Sequence, residues 1–283
     1  MGVVITELMV KDNCVTYTPQ PFSVRVVYVV PTGIDPWSET QRRATEWLED
    51  MQWFLADEMN RLGYGKKSFN IATDEGGALV FHQINSSLSS AQFGNDPKKN
   101  CKHAAQERNL RSMSKDEVND VIVYFYEWHK IADGEVIAGS RGEKRRLGGE
   151  AFLSSLHLKM ARREWISSDS GYGGRVFDYI SPLPLKGSEL SWNGRGKKLG
   201  DVSGAAFGIM AHELGHCFGL SNDKSNMSNV SLMGNGCRRM RGHFRPDLTA
   251  DRCFLSEESA AVLDKSDFFA LRTLKPKSKI FCD

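Results

Sequence analysis

Gly208-Ile209-Met210-Ala211-His212-Glu213-Leu214-Gly215-His216-Cys217-Phe218-Gly219 is the stretch from which the rest of the chain can be read. On a helix, His212 and His216 stand four residues apart, so both imidazoles leave one face, one turn above the other. That separation suits two corners of a tetrahedral Zn2+ site. Glu213 leaves the same helix beside them, where its carboxylate can reach a water polarised by the metal without becoming a ligand, as a general base in metal-assisted hydrolysis must. Gly219 ends the helix: a residue free to take positive φ lets the chain turn sharply and bring a third ligand back towards the first two.

Ser231-Leu232-Met233-Gly234 follows, with Met233 seventeen residues beyond His216. From Ala205 to Gly234 the chain therefore resembles the metzincin clan of zinc peptidases, whose pattern is His-Glu-x-x-His-x-x-Gly-x-x-His/Asp followed by a methionine turn. The resemblance implies an α/β (α+β) zincin fold: a twisted mixed β-sheet, a long backing helix, an active-site helix, and a small C-terminal lobe after the zinc helix. It also implies one catalytic Zn2+, Glu213 as general base and Met233 as the apolar floor. One position departs from the pattern. Ten residues on from His212 the third-ligand slot holds Asn222, with Asp223 next to it. An Asn side-chain oxygen is a neutral, weak zinc donor. Three readings stay open: an Asn222 ligand, an Asp223 ligand displaced by one residue, or a chain that has lost its third histidine. The expected function is that of a zinc-dependent endopeptidase. The alternative, for which Asn222 is the whole case, is a pseudopeptidase that binds peptides in its cleft and cuts them weakly or not at all.

Composition agrees with a globular enzyme. The 283 residues are 40% hydrophobic and 25% charged, enough for a substantial core and for one catalytic domain spanning 1–283, with an N-terminal lobe of about 1–218 and a C-terminal lobe of about 219–283. Lys plus Arg number 37 against 35 for Asp plus Glu, so net charge gives no reason to expect a nucleic-acid partner or an anionic membrane. No apolar run reaches the roughly 18 residues of a membrane span. Met1 to Glu7 lacks the basic start and long apolar centre of a secretory signal, which leaves a cytoplasmic protein, or an extracellular one whose leader was removed. The six cysteines, Cys14, Cys101, Cys217, Cys237, Cys253 and Cys282, are too sparse to form a scaffold, although Cys237 and Cys253 could staple the segment after the methionine turn.

Elsewhere the pattern predicts a layered α/β domain. Phe22 to Val30 reads as a buried strand. Asp35-Pro36 predicts a helix start, and Ala44, Trp47, Leu48, Met51, Leu55, Met59 and Leu62 recur at helical spacing up to Gly63. Ser68–Thr73 and Ala78–Ile84 flank the turn Asp74-Glu75-Gly76-Gly77 and predict a hairpin that adds two strands. An exposed loop from Asn85 to Lys102, a polar helix from Ala104 to Asn119, a buried strand from Val121 to Tyr126 and a basic loop from Gly134 to Gly149 follow. By the resemblance, Ala151 to His157 is the sheet-edge strand that holds a protein or peptide substrate by backbone pairing. Residues 165–203 read as an irregular connection, in which Asp169 and Asp178 could join a structural Ca2+ site. After the methionine turn, Arg238, Arg239 and Arg241 form a basic segment that, by the same resemblance, walls the pocket just past the scissile bond, with His243 in a solvated setting. Ser256 caps a last helix through Leu263.

Overall fold

The computed structural model of the chain describes residues 22–110, 119–128, 130–132, 135–137, 139–146, 148–167, 169, 198–225, 228–245, 247–248 and 252–272. Expectations that fall on residues 1–20, Cys14, Asp178 and Cys282 lie outside the described residues. The valine-rich run forms β1 (Ser23–Thr32), buried along nine of its ten residues, which is the mark of a strand covered on both faces. Helix α1 (Thr40–Arg61) starts four residues after Pro36, later than the Asp-Pro signal suggests. The reason is tertiary: the Tyr28 hydroxyl accepts from Trp37 N at 2.9 Å and Thr40 Oγ1 donates to Trp37 O at 2.6 Å, which holds residues 35–39 off the helix axis. Its inner face buries Trp47, Leu48, Met51 and Phe54, each contributing about 1.5–3 kcal/mol.

The expected hairpin adds only one edge to the sheet. After β2 (Lys67–Ser68), the short strand β3 (Asn70–Ile71) pairs in parallel with Ser23 and Val24, and β4 (Phe81–Ser89) continues in parallel along Val26 to Thr32. The predicted turn is present, with Gly77 N donating to Asp74 O at 3.0 Å, but it loops out between two segments that share the same side of β1. The expected loop at 85–102 is mostly ordered into elements. Ser89 and Gln92 form a capping box that starts α2 (Ser90–Phe93), and Asp96 caps α3 (Pro97–Glu107) with proline in its first turn. Helix α3 buries Cys101, Ala104 and Ala105 against the sheet.

Strand β5 (Asp120–Tyr126) runs parallel to β1, as its apolar run predicts. The stretch expected as a basic loop instead contains a small hairpin, β6 (Lys130–Ala132) with β7 (Glu135–Ile137), and then β8 (Ser140–Arg145). Next, β9 (Gly148–Ser154) pairs with β5 in parallel and with β8 in antiparallel fashion. The substrate-strand expectation at Ala151–His157 is thereby corrected: β9 is an interior strand and β8 is the edge. The physical reason lies in the residues, since β9 is buried along its whole length whereas β8 alternates charge and small side chains, which a free edge requires.

This mixed sheet carries one helical layer on each face. Val24, Val26, Tyr28, Val123, Phe125 and Leu153 meet α1 and the later helices, while Val27, Val29, Ile122, Tyr124 and Phe152 meet α3. The remaining elements are α4 (Ser155–Met160), α5 (Arg163–Ile166), α6 (Leu199–Cys217), a 3-10 turn (Asn235–Arg239), α7 (Arg241–Phe244), α8 (Glu257–Asp264) and β10 (Ala270–Leu271). Ser256 caps α8 through a bond from Ser259 N at 3.2 Å, as expected. The C-terminal segment returns to the start of the fold, where β10 pairs with β2 and Phe269 packs on Phe218 at 5.1 Å. Cys237 and Cys253 are buried and not joined by a disulfide, so the expected staple is not formed. No helix among the described residues is long and apolar enough to cross a membrane.

Candidate metal centre

Helix α6 is rich in Gly, Ala and Leu and is buried on nearly every side, wedged between β8, β9 and the 3-10 turn. It ends at Cys217, Phe218 caps it, and Gly219 takes φ +94°, a conformation that suits glycine. This reversal lets Leu220 N bond to Gly215 O at 3.0 Å and turns Leu220 O back onto His216 Nδ1 at 2.8 Å. The other imidazole is oriented from further along the chain, with Leu232 O 2.9 Å from His212 Nδ1. Leu232 is itself fixed, because its N–H donates to Phe254 O at 2.7 Å.

Each ring thus donates an Nδ1 proton to a carbonyl, which leaves Nε2 as a bare lone pair in the neutral imidazole. The two Nε2 atoms stand 3.1 Å apart. Lone pairs at that distance repel unless a proton or a metal ion lies between them. Two nitrogens at about 2.0–2.1 Å from a tetrahedral Zn2+ would stand about 3.3 Å apart, so the pair is set for such an ion.

Beside this pair is a cavity of about 320 Å³, lined in part by His212, Glu213, Asn222, Asp223, Met233 and Arg238. Met233 is buried against α6, so close that a Cβ on Gly215 would lie 2.6 Å from its Sδ. Its carbonyl accepts from Asp223 N at 2.8 Å, tying the segment after α6 to the turn below the histidines. Glu213 is bound to the edge strand. Its Oε2 accepts from Gly142 N and its Oε1 from Ser140 Oγ at 3.3 Å, while a Cβ on Gly142 would overlap the Glu213 carbonyl.

The third donor is less complete. Asn222 is exposed on the cavity wall. Asp223 Oδ1 accepts from Ser225 N at 2.8 Å, and these Ser225 hydrogen bonds hold its carboxyl below the usual carboxylate range, whereas Oδ2 is buried with no hydrogen-bond partner. Among the described residues, no three His, Cys, Asp or Glu side chains stand close enough together to hold a metal ion. The imidazole pair therefore needs an oxygen from Asn222, or a swing of Asp223, to complete a nitrogen and oxygen donor set suited to zinc.

Other candidate residues are placed elsewhere. Asp169 is ringed by cations, Arg241 at 2.8 Å and Lys198 at 3.0 Å, which take up the carboxylate expected for Ca2+; Asp178 lies outside the described residues. Contact with Lys198 and then Arg241 holds the Asp169 carboxyl down to about 2. Arg241 is buried and also bonds Asp201 at 2.5 Å, and Arg239 is exposed; of the three expected wall arginines, Arg238 alone lines the cavity. The solvated setting expected for His243 gives way to an edge-on contact with Phe54 at 5.0 Å. His157 lies in α4 rather than at a strand end, fully buried, with Nδ1 3.1 Å from Ser154 O. Ser140 and Gly142 are not foreseen from the sequence, although a small residue at every second position of a charged stretch is their signal.

No family profile and no curated protein matches the chain. Among solved structures, the chain is similar to wild-type OgpA from Akkermansia muciniphila, at 18% identity and a TM-score of 0.54, with 93% of this chain and 65% of that one covered. It is equally similar to catalytically inactive OgpA in complex with an O-glycopeptide substrate, at 18% identity and a TM-score of 0.54 over 92% of this chain and 64% of that one. The chain thus spans just under two thirds of the length of these OgpA structures. Their common ground with this chain is the mixed α/β fold.

Proposed function

We propose that the chain is a zinc-dependent endopeptidase, a single catalytic domain in which His212 and His216 hold one Zn2+, Asn222 gives the third protein donor and Glu213 is the general base. The observation that carries the proposal is the imidazole pair: both Nδ1 atoms lie on backbone carbonyls and the two Nε2 atoms converge to 3.1 Å. A zinc ion bound there would polarise the scissile carbonyl and acidify a water. Glu213 would take the proton of the attacking water and hand it to the leaving amine; it lines the cavity next to His212 with both oxygens at the cavity's β8 side. An extended peptide would pair along β8, the antiparallel edge of the sheet, whose outer backbone groups are not used by a further strand among the described residues. The fold shared with OgpA supports a peptide occupant, because the inactive form of that protein was crystallised with an O-glycopeptide substrate.

A second reading of the third ligand rests on the orphaned Asp223 Oδ2, a buried carboxylate oxygen without a partner, for which a cation would be the natural complement. Zinc titration of Asn222→Ala and Asp223→Ala separates the two, since the variant that loses more affinity carried the ligand. The function itself is tested by metal analysis of the purified chain together with a peptide-cleavage assay. One zinc per chain with chelator-sensitive cleavage supports the enzyme. Zinc without cleavage favours the pseudopeptidase, and no zinc at all removes the proposal.

A further inference from the structure

We infer that without a peptide the Glu213 carboxylate is latched onto the edge of the sheet, and that a peptide backbone pairing along β8 must displace it; the inference rests on the peptidase reading above. The register of β8 on β9 decides which backbone groups are involved. Ser154 N donates to Gly139 O at 3.0 Å, Ser140 lies opposite Leu153 and Gly142 opposite Ala151. Hydrogen-bonded and non-hydrogen-bonded pairs alternate along an antiparallel ladder. Gly139 and Arg141 therefore turn their backbone groups towards β9, whereas Ser140 and Gly142 turn theirs off the sheet. Since β8 ends the sheet on this side among the described residues, the Gly142 N–H is a donor that an added strand needs, whichever way that strand runs.

That donor is already engaged. Its acceptor is Glu213 Oε2, while Glu213 Oε1 accepts from Ser140 Oγ at 3.3 Å, so the carboxylate is held by β8 through both oxygens. Glycine permits the approach, because a Cβ on Gly142 would overlap the Glu213 carbonyl and lift the strand from α6. Adjacent strands run about 4.8 Å apart, so a carboxylate bonded to the Gly142 N–H stands on the line that the peptide backbone would follow. One N–H serves one well-aligned acceptor, and a peptide carbonyl and the Glu213 carboxylate therefore exclude each other there. When the peptide carbonyl takes the N–H, the carboxylate is released into the cavity that it lines beside His212. The latch thus keeps the proposed base on the strand until a chain long enough to pair with β8 is in place. A substrate too short to reach Gly142 leaves it there.

The test compares Glu213→Gln with Glu213→Ala in the zinc-loaded full chain, with binding of a labelled casein peptide read by fluorescence anisotropy. Gln keeps an oxygen for the Gly142 N–H and an N–H for Ser140 Oγ, whereas Ala keeps neither. Glu213→Ala is therefore expected to bind the peptide about fivefold more tightly than Glu213→Gln, the weight of one hydrogen bond that no longer has to be displaced. With Glu213 intact, Ser140→Ala removes one of the two holds, and KM for casein peptide cleavage should fall about twofold with no loss of kcat. Equal affinity of the two Glu213 variants, or a lower kcat at unchanged KM in Ser140→Ala, overturns the latch and leaves the peptidase reading standing. Peptide binding without cleavage by wild type overturns the peptidase reading instead, and the order of the two affinities still decides the latch. Absence of binding by every variant overturns both.

Discussion

Replacing Gly215 by alanine puts the packing beneath the histidines under direct load. In an exposed helix interior the change would stabilise by about 1 kcal/mol through propensity. Here the new Cβ would meet Met233 Sδ at 2.6 Å, Met233 Cε at 3.3 Å and Leu220 Cδ1 at 3.4 Å. Comfortable contacts begin near 3.5–4.0 Å, so the thioether must retreat by about 1 Å. It has little room, because Met233 is buried, its carbonyl is held by Asp223 N, and Leu232 before it is held by Phe254. Overpacking of this kind costs about 1–3 kcal/mol. The net expectation is a variant between unchanged and about 2 kcal/mol less stable. Zinc affinity should fall as well, by about 10–100-fold, because the Leu232 carbonyl that orients His212 moves with Met233. The assay is urea unfolding followed by circular dichroism, with competition titration of zinc, on Gly215→Ala, Met233→Ala and the double variant. Met233→Ala alone should cost about 2–5 kcal/mol. In the double variant the new methyl occupies space the thioether has left, so the two single effects should overstate the total by about 1–2 kcal/mol. A stabilised Gly215→Ala with unchanged zinc affinity, or single effects that simply add, would refute this account of the floor.

Glu213→Ala is expected to abolish peptide hydrolysis and keep its zinc, since in the proposed role the carboxylate moves a proton and makes no coordinate bond; retained turnover, or loss of metal, contradicts that role. Asn222→His should tighten zinc binding and raise kcat/KM, imidazole being the better donor at a spacing that already fits, and an unchanged affinity on titration would show that Asn222 does not face the metal. His157 predicts an acid-sensitive fold: full burial pushes its pKa from 6.5 down to about 4, so it is neutral when folded. The unfolded chain takes up that proton first as pH falls. This contribution to stability is therefore complete above about pH 6.5 and is lost towards pH 4, by up to about 3 kcal/mol. Urea unfolding across that window should fall more steeply for wild type than for His157→Gln, and parallel curves would count against it.

What was legible in the sequence follows from how far apart the cooperating residues lie. His212, Glu213 and His216 sit within two turns of one helix, with Gly219 just past its end, so their spacing alone suggests a shared purpose. The groups that orient them do not. Leu232 O reaches His212 across twenty residues, and Gly142 N reaches Glu213 across seventy-one. These are backbone atoms, whose positions leave no mark on residue type except where a glycine makes room. The same limit explains α1, whose apolar spacing is correct but whose start is decided by the Tyr28 hydroxyl on a different element. The missed α2 and α3 had local signals, Ser89 with Gln92 and Asp96 before Pro97, which a polar composition concealed.

The edge strand carries the larger lesson. Placing the peptide on Ala151–His157 followed from the order of elements in a resembling clan, yet the apolar residues of that run pointed the other way, since a strand buried on both faces needs a neighbour on each side. The charged stretch before it satisfies two surfaces at once. Glu143 faces α3, where Lys102 meets it at 2.6 Å, and Arg145 lies 3.6 Å from Asp120; the alternate residues Ser140 and Gly142 face α6 and hold Glu213. Period two thus assigns one face of β8 to ion pairs and clears the other for the Glu213 carboxylate. It follows that a peptide added along β8 would lie on the same strand whose Ser140 and Gly142 fix the Glu213 carboxylate. Substrate pairing and base orientation are then mechanically one event, and a change that slides the register of β8 on β9 should impair both together.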